Sequence, residues 1–229
     1  YNIATEQADT NARDCDFATL FRVYGQMAMI YGQQNMPQEE LEALGHYSHY
    51  ALAARDSFNH VLGYERRVGP LYRADDTLKV LEVTEIASRL YKKYGFIKES
   101  ARVYPTAIYV SLLNENYARA RRYMDIFESE SGLFDEDGHI ASGREHYYNS
   151  KGLYYVGVCK FDSADYYFRR LLDFGYKYDA YKGLLSIYIL RKQSDSIIKY
   201  TSLCEEELLR WATNRQAEAV IHSSAMYKY

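Results

Sequence analysis

"KGLYYVGVCKFDSADYYFRRLL", residues 151–172, places a glycine inside a stretch that otherwise reads as helical, with aromatics at Tyr154, Tyr155, Phe161, Tyr166, Tyr167 and Phe168. A lone amphipathic helix needs neither feature. An internal glycine costs about 1 kcal/mol against alanine, and aromatics on every side leave no single apolar stripe. Two antiparallel helices in close contact need both. Counting from Tyr148, Gly152 follows after four residues, Tyr155 after seven, Ala164 after sixteen and Phe168 after twenty. A small residue at Gly152 lets the Ala164 position of the second helix approach, and the aromatics fill the space above and below. Gly152 is therefore expected to be a packing hole rather than a hinge.

A leading aromatic recurs along the chain. Tyr24, Phe58, Tyr104, Tyr148 and Tyr181 each open a comparable unit, with steps of 34, 46, 44 and 33 residues. Phe58 leads to Ala74 and Leu78, Tyr104 to Ala120 and Met124, and Tyr181 to Ile197 and Thr201. In the first and fifth units Glu40 and Ile197 stand where the small alanine belongs, and Ala43 offers the first an alternative register. The long steps have local readings. "TLKVLEVTEIASRLYKKYG" (77–95) runs as one apolar-periodic helix ending in Lys92, Lys93 and Gly95, the stop expected of a helix C-terminus. Asp137-Gly138 within "SGLFDEDGHIASG" (131–143) reads as a tight turn, a small hairpin that lengthens a loop. Asn35 before Pro37, with Glu39 and Glu40 behind it, marks a helix start, as do Asp162 and Asp165. Residues 205–229 read as a closing helix that caps the open end, as stacked repeats require.

Composition sets the class. The 229 residues are 48% apolar and 26% charged, as in an ordinary folded domain. A formal charge of −3 gives no electrostatic case for nucleic acid. Tyrosine is the outlier, at 26 against 9 phenylalanines and 1 tryptophan, and only 3 prolines interrupt the chain, which suits stacked helices. Cys15, Cys159 and Cys204 form no CxxC pair and no disulfide framework. No apolar run approaches the roughly 20 residues of a membrane span. The chain opens on Tyr1, which suits a processed or excised form.

Chemistry finds no constellation. His46 and His49 share a helical face, but no third ligand stands at helical spacing. "FDEDGHI" (134–140) lacks the closing glutamate of a calcium loop. Cys159 and His146 cannot make a nucleophile and base without a third element. No glycine-rich phosphate loop and no GxSxG is present, so neither catalysis nor a cofactor is expected. The arginines of "YARARRY" (117–123), and Arg169 with Arg170, sit near Asp125 and Asp165 and read as a salt-bridged, solvated face.

The Tyr148, Gly152, Tyr155, Ala164, Phe168 spacing resembles the tetratricopeptide-repeat family over residues 17 to 204. The resemblance implies an all-α solenoid, a right-handed superhelix of about five helical hairpins. Their first helices would line a concave groove for an extended peptide or a partner's helix. Helical periodicity from the buried positions then selects Arg102, Tyr109, His146, Asn149, Leu153, Lys182 and Ser186, with Gln33, Asn59 and Arg66 in the first half. The strong unit at 147–168, the inserted turn and the helical C-terminus also resemble extracytoplasmic repeat domains of bacterial membrane-anchored regulatory proteins. The expected partner is a protein or peptide segment. The alternative is a small ligand such as a glycan, which would need coplanar exposed rings. "AEAVIHSSAMYKY" (217–229) has no stop signal, so the closing helix is expected to continue past Tyr229 as a stalk toward a membrane anchor.

Overall fold

A computed structural model describes residues 16–211, and the architecture is all-α. The helices are α1 (Phe17–Gln33), α2 (Pro37–Ala53), α3 (Ser57–Arg66), α4 (Val68–Arg73), α5 (Thr77–Lys93), α6 (Ile97–Arg102), α7 (Pro105–Leu113), α8 (Tyr117–Glu130), α9 (Tyr147–Gly157), α10 (Phe161–Asp173), α11 (Lys177–Leu190) and α12 (Ser194–Trp211). Two of these pairs are single helices with a break. Arg67 alone separates α3 from α4, and Val103 and Tyr104 separate α6 from α7. Each break lies just before a proline, Pro70 or Pro105, whose missing N–H and ring disturb the preceding turn. The third proline, Pro37, opens α2, where its N–H is not needed. Counted this way, the described residues form ten helices that pack pairwise in sequence, consistent with a helical-repeat arrangement.

One turn chemistry makes eight of these connections. One residue past each helix C-cap a single residue adopts the left-handed conformation, and the residue after it is the N-cap of the following helix. The left-handed residues are Asn35, Arg55, Asp75, Gly95, Glu115, Cys159, Gly175 and Lys192. In every case the backbone N–H of the following residue donates back to the helix's last turn, as Met36 does to Tyr31, Asp56 to Ala51, Lys160 to Tyr155 and Gln193 to Tyr188. The left-handed residue donates to a carbonyl three residues back, as Arg55 does to Leu52. These two bonds define the Schellman motif. The N-cap residue also caps with its side chain where it is Asp56, Asp76 or Asn116, each side chain accepting a backbone N–H three residues on. The chain thus reverses in three residues and lays each helix back on its predecessor.

Contacts gather the chain into two compact units. The first comprises residues to Val110 together with Tyr123–Gly132, and the second Ser111–Arg122 together with Leu133 onward. In the first, α1 packs on α2, α2 on α3, α3 and α4 on α5, and α5 on α6. Its left-handed turns at Asn35, Arg55, Asp75 and Gly95 fall at intervals of twenty, and the helices between them are seventeen residues long. Burial follows the helical period: Val80, Leu81, Thr84, Ala87, Ser88 and Tyr91 form the inward face of α5. In the second unit α9 packs on α10, α10 on α11, and α11 on α12, and α9 also touches α11. The turns there are closer, at Cys159, Gly175 and Lys192.

The expected unit openings do not share one structural place. Tyr24 is the eighth residue of α1, Phe58 the second of α3, Tyr148 the second of α9 and Tyr181 the fifth of α11, while Tyr104 stands in the α6–α7 break. In the first unit the hairpins begin at 17, 57 and 97, so the residues equivalent to Tyr24 are Tyr64 and Tyr104. Asn35 caps no helix with its side chain; it is the left-handed residue before Met36. The helix at 77–93 and the turn at Asp137-Gly138 stand as expected, the latter closed by an antiparallel bridge between Phe134 and Ile140. No helix starts at residue 205: α12 runs through it, and residues 212–229, with the expected cap and stalk, lie outside the described residues.

The tyrosines are the mortar between paired helices. Tyr24 stacks on His46 and Tyr50, Tyr104 on Tyr123, Tyr148 and Tyr155 on Tyr167, and Tyr188 on Tyr200. Their hydroxyls reach neighbouring helices: Tyr91 donates to Glu65, Tyr123 to Glu85 and Tyr104 to Ser88. An amphipathic ring with an apolar body and a polar tip suits this position better than phenylalanine.

Candidate functional site

An aromatic wedged between two glycines builds the local geometry of both units. In the first, Tyr47 of α2 lies between Gly25 of α1 and Gly63 of α3; a Cβ on either glycine would lie 3.0 Å from the ring. In the second, Phe168 of α10 lies between Gly152 of α9 and Gly183 of α11, in still closer contact. The small residue expected to face Ala164 therefore faces the Phe168 ring. Ala164 is itself fully buried in the same core, beside Leu184, Ile187 and Tyr200.

Beside Tyr47 the first unit opens a cleft of about 510 Å³. Phe21, Arg22, Gly25, Gln26, Ala28 and Met29 of α1 line it at helical spacing, facing Glu40, Leu44 and Tyr47 of α2 and Arg66 at the end of α3. Its floor is closely packed. Phe21 meets Tyr47 edge to face at 5.5 Å. The Tyr47 hydroxyl donates to the Asn59 carboxamide oxygen, and the Asn59 amide in turn donates to Asp56. Burial raises the Tyr47 phenol above its ordinary pKa, partly offset by Arg66, whose guanidinium sits 5.5 Å over the ring.

Among the described residues the charges in the cleft are unbalanced. Glu40 is ion-paired with Arg73. Arg22 and Arg66 make no ion pair among the described residues. Arg22 acts only at a distance on Asp16, whose carboxylate already accepts from Ala18 and Thr19. The other side of the same hairpin has the opposite character: a hollow of about 210 Å³ lined by Tyr24, Met27, Tyr31, Glu39, Glu42, Ala43 and His46.

The residues expected in a groove are dispersed. Arg66 alone lines the cleft. Asn59 supports its floor, and Gln33 is exposed at the last turn of α1. Arg102 donates from Nε to the Ser131 carbonyl and lies near Glu99, and Tyr109 packs edge to face on Tyr72. In the second unit His146 meets Asp179 at 3.1 Å and packs on Tyr176. Asn149 is half-buried and Leu153 packs against the core. The Ser186 hydroxyl donates to the Gly183 carbonyl. Lys182 is exposed near Cys204, where burial outweighs the nearby ammonium and pushes the thiol up to about 11. Arg169 pairs with Asp165 through two bonds and Arg170 with Asp173, the salt-bridged face expected of them.

Arg22, Gln26, Met29 and Leu44 escaped sequence reasoning. The signal that points to them is the glycine pair around Tyr47, legible only in the twenty-residue register. Among the described residues no group of three His, Cys, Asp or Glu is placed to hold a metal ion, and no helix is long and apolar enough to cross a membrane. Compared with protein-family models, curated proteins and solved structures, the chain matches none.

Proposed function

We propose that the chain is a non-catalytic, tetratricopeptide-like repeat module that binds a protein or peptide segment, and that it forms the extracytoplasmic part of a membrane-anchored regulator. The observation that carries the binding reading is the cleft beside Tyr47: a closely packed apolar floor, an open mouth and two arginines without a carboxylate partner among the described residues. The second unit supports the repeat resemblance, with Gly152 and Phe168 in contact where the family's spacing puts a small residue and an aromatic. The first unit departs from that spacing through its longer helices. The glycan alternative gains little from Tyr148, Tyr155 and Tyr167, whose ring faces are turned toward one another.

A displayed random peptide library selected on the full chain tests the reading. Reproducible peptide families that compete with one another for the folded protein support it, and the absence of any enriched family contradicts it.

A further inference from the structure

Three surfaces were candidates for more specific recognition: the cleft of the first hairpin, the acidic hollow on its other side, and the half-buried Arg67. The Arg67 Nε has no hydrogen-bond partner, but its guanidinium already lies 4.6 Å over the Tyr64 ring and borders neither hollow. Glu39 and Glu42 of the acidic hollow form a carboxylate cluster with no second feature pointing to a cation. The cleft has both an apolar floor and, among the described residues, uncompensated charge.

Resting on the peptide-binding reading, we infer that this cleft takes a short acidic-apolar peptide segment, one large apolar side chain entering against Phe21, Leu44 and Tyr47 while carboxylates beside it pair with Arg22 and Arg66. The volume, about 510 Å³, lies in the range of small-ligand pockets and accommodates one large side chain with its flanking backbone. The floor is preformed: Phe21, Leu44 and Tyr47 are buried, and Tyr47 is fixed by Gly25, Gly63, Phe21 and Asn59 together. A fixed floor lowers the ordering cost that binding must overcome. At the rim Met29 is 55% exposed, a flexible, polarizable side chain able to close over an apolar guest.

Charge selects the flanking chemistry. Glu40 is held by Arg73, so a cationic guest finds no open carboxylate in the cleft, whereas Arg22 and Arg66 offer two forked donors to an anionic one. Arg66 is exposed and stands 5.5 Å over the Tyr47 ring, so its guanidinium fork lies within reach of a carboxylate flanking a side chain seated on that floor. The acidic hollow on the other side of the hairpin would repel the same segment, which gives the surface a direction of engagement.

The test uses the full chain and dodecamer libraries selected in parallel on the wild type and on Arg22→Glu/Arg66→Glu, with circular dichroism confirming the fold of each. The expected wild-type winners carry Asp or Glu within two residues of Leu, Phe, Tyr or Trp. In fluorescence anisotropy they should weaken at least tenfold on the charge-reversed variant and when their acids are changed to amides. They should weaken also on Leu44→Ser, read beside Arg22→Ala/Arg66→Ala in case the core change unfolds the hairpin. Winners that bind the charge-reversed variant unchanged, but lose affinity on Asn149→Ala/Lys182→Ala, overturn this inference and leave the peptide-binding reading standing. The absence of any enriched peptide overturns both.

Discussion

The ring of Phe168 occupies the volume that a side chain on Gly152 would need: a Cβ there would lie 2.6 Å from Cζ and nearer still to Cε1. Gly183 meets the same ring from the next hairpin, and Phe168 is fully buried, so the ring cannot swing out. Gly152→Leu should therefore over-pack the second unit and cost about 1–3 kcal/mol, more than the roughly 1 kcal/mol gained in helix propensity. Phe168→Leu in the same chain should recover part of the loss. Urea melts of the two single variants and the double variant give the coupling directly; simple additivity would mean that the contact does not set the helix spacing.

Gly95 and Gly175 separate backbone from packing effects. Both are left-handed, and a Cβ on either meets nothing within 4 Å. Alanine at either site should cost about 1 kcal/mol through the backbone alone. Arg55, Glu115 and Lys192 hold the same conformation without being glycine. Glycine there removes the strain but loosens the unfolded chain, for a net gain of roughly half a kcal/mol. Thermal melts showing Arg55→Gly less stable than the parent would contradict the turn assignment.

Much of this was legible in the sequence, and the missing part has a physical cause. The Gly152 and Phe168 spacing, the helix at 77–93 and the Asp137-Gly138 turn are local signals that tertiary packing leaves intact. The register of the first unit was not legible, because glycine marks only two of the eight helix reversals. Arg55, Glu115, Cys159 and Lys192 adopt a conformation their residue types seldom favour, held there by packing of the helices on either side. Without those reversals Phe58 passed for a unit head, although the equivalent of Tyr24 is Tyr64. The cleft depends on the same register, so only Arg66 of the expected residues lines it.

Stability should fall in alkali through the tyrosines. Burial, and for Tyr91 also the hydrogen bond to Glu65, raises the pKa of Tyr91, and burial raises those of Tyr47, Tyr178 and Tyr188. A raised phenol pKa means that the unfolded chain loses its proton first. The stabilisation is complete below the ordinary tyrosine value of about 10 and is lost as pH climbs from there toward the folded pKa. Melting temperature should begin to slip above about pH 8.5, where the unfolded Cys204 thiol ionises before the buried one, and drop more steeply beyond about pH 10 as the tyrosines follow, with the 295 nm phenolate absorbance appearing in two steps, the later one at unfolding. Tyr91→Phe should show a shallower alkaline decline than the parent; an identical decline would remove Tyr91 from the account.

Methyl NMR of the methionines tests the cleft most directly. Met29 lines it, Met27 lines the acidic hollow on the other side of the hairpin, and Met124 is fully buried in the core. With ¹³C-methyl methionine in the full chain and a selected acidic-apolar dodecamer as titrant, the Met29 signal should shift in a saturable way. Met27 and Met124 should stay in place, and the response should vanish in Arg22→Glu/Arg66→Glu. A peptide that binds by anisotropy while Met29 remains unmoved would place the binding surface elsewhere and contradict the assignment of this cleft.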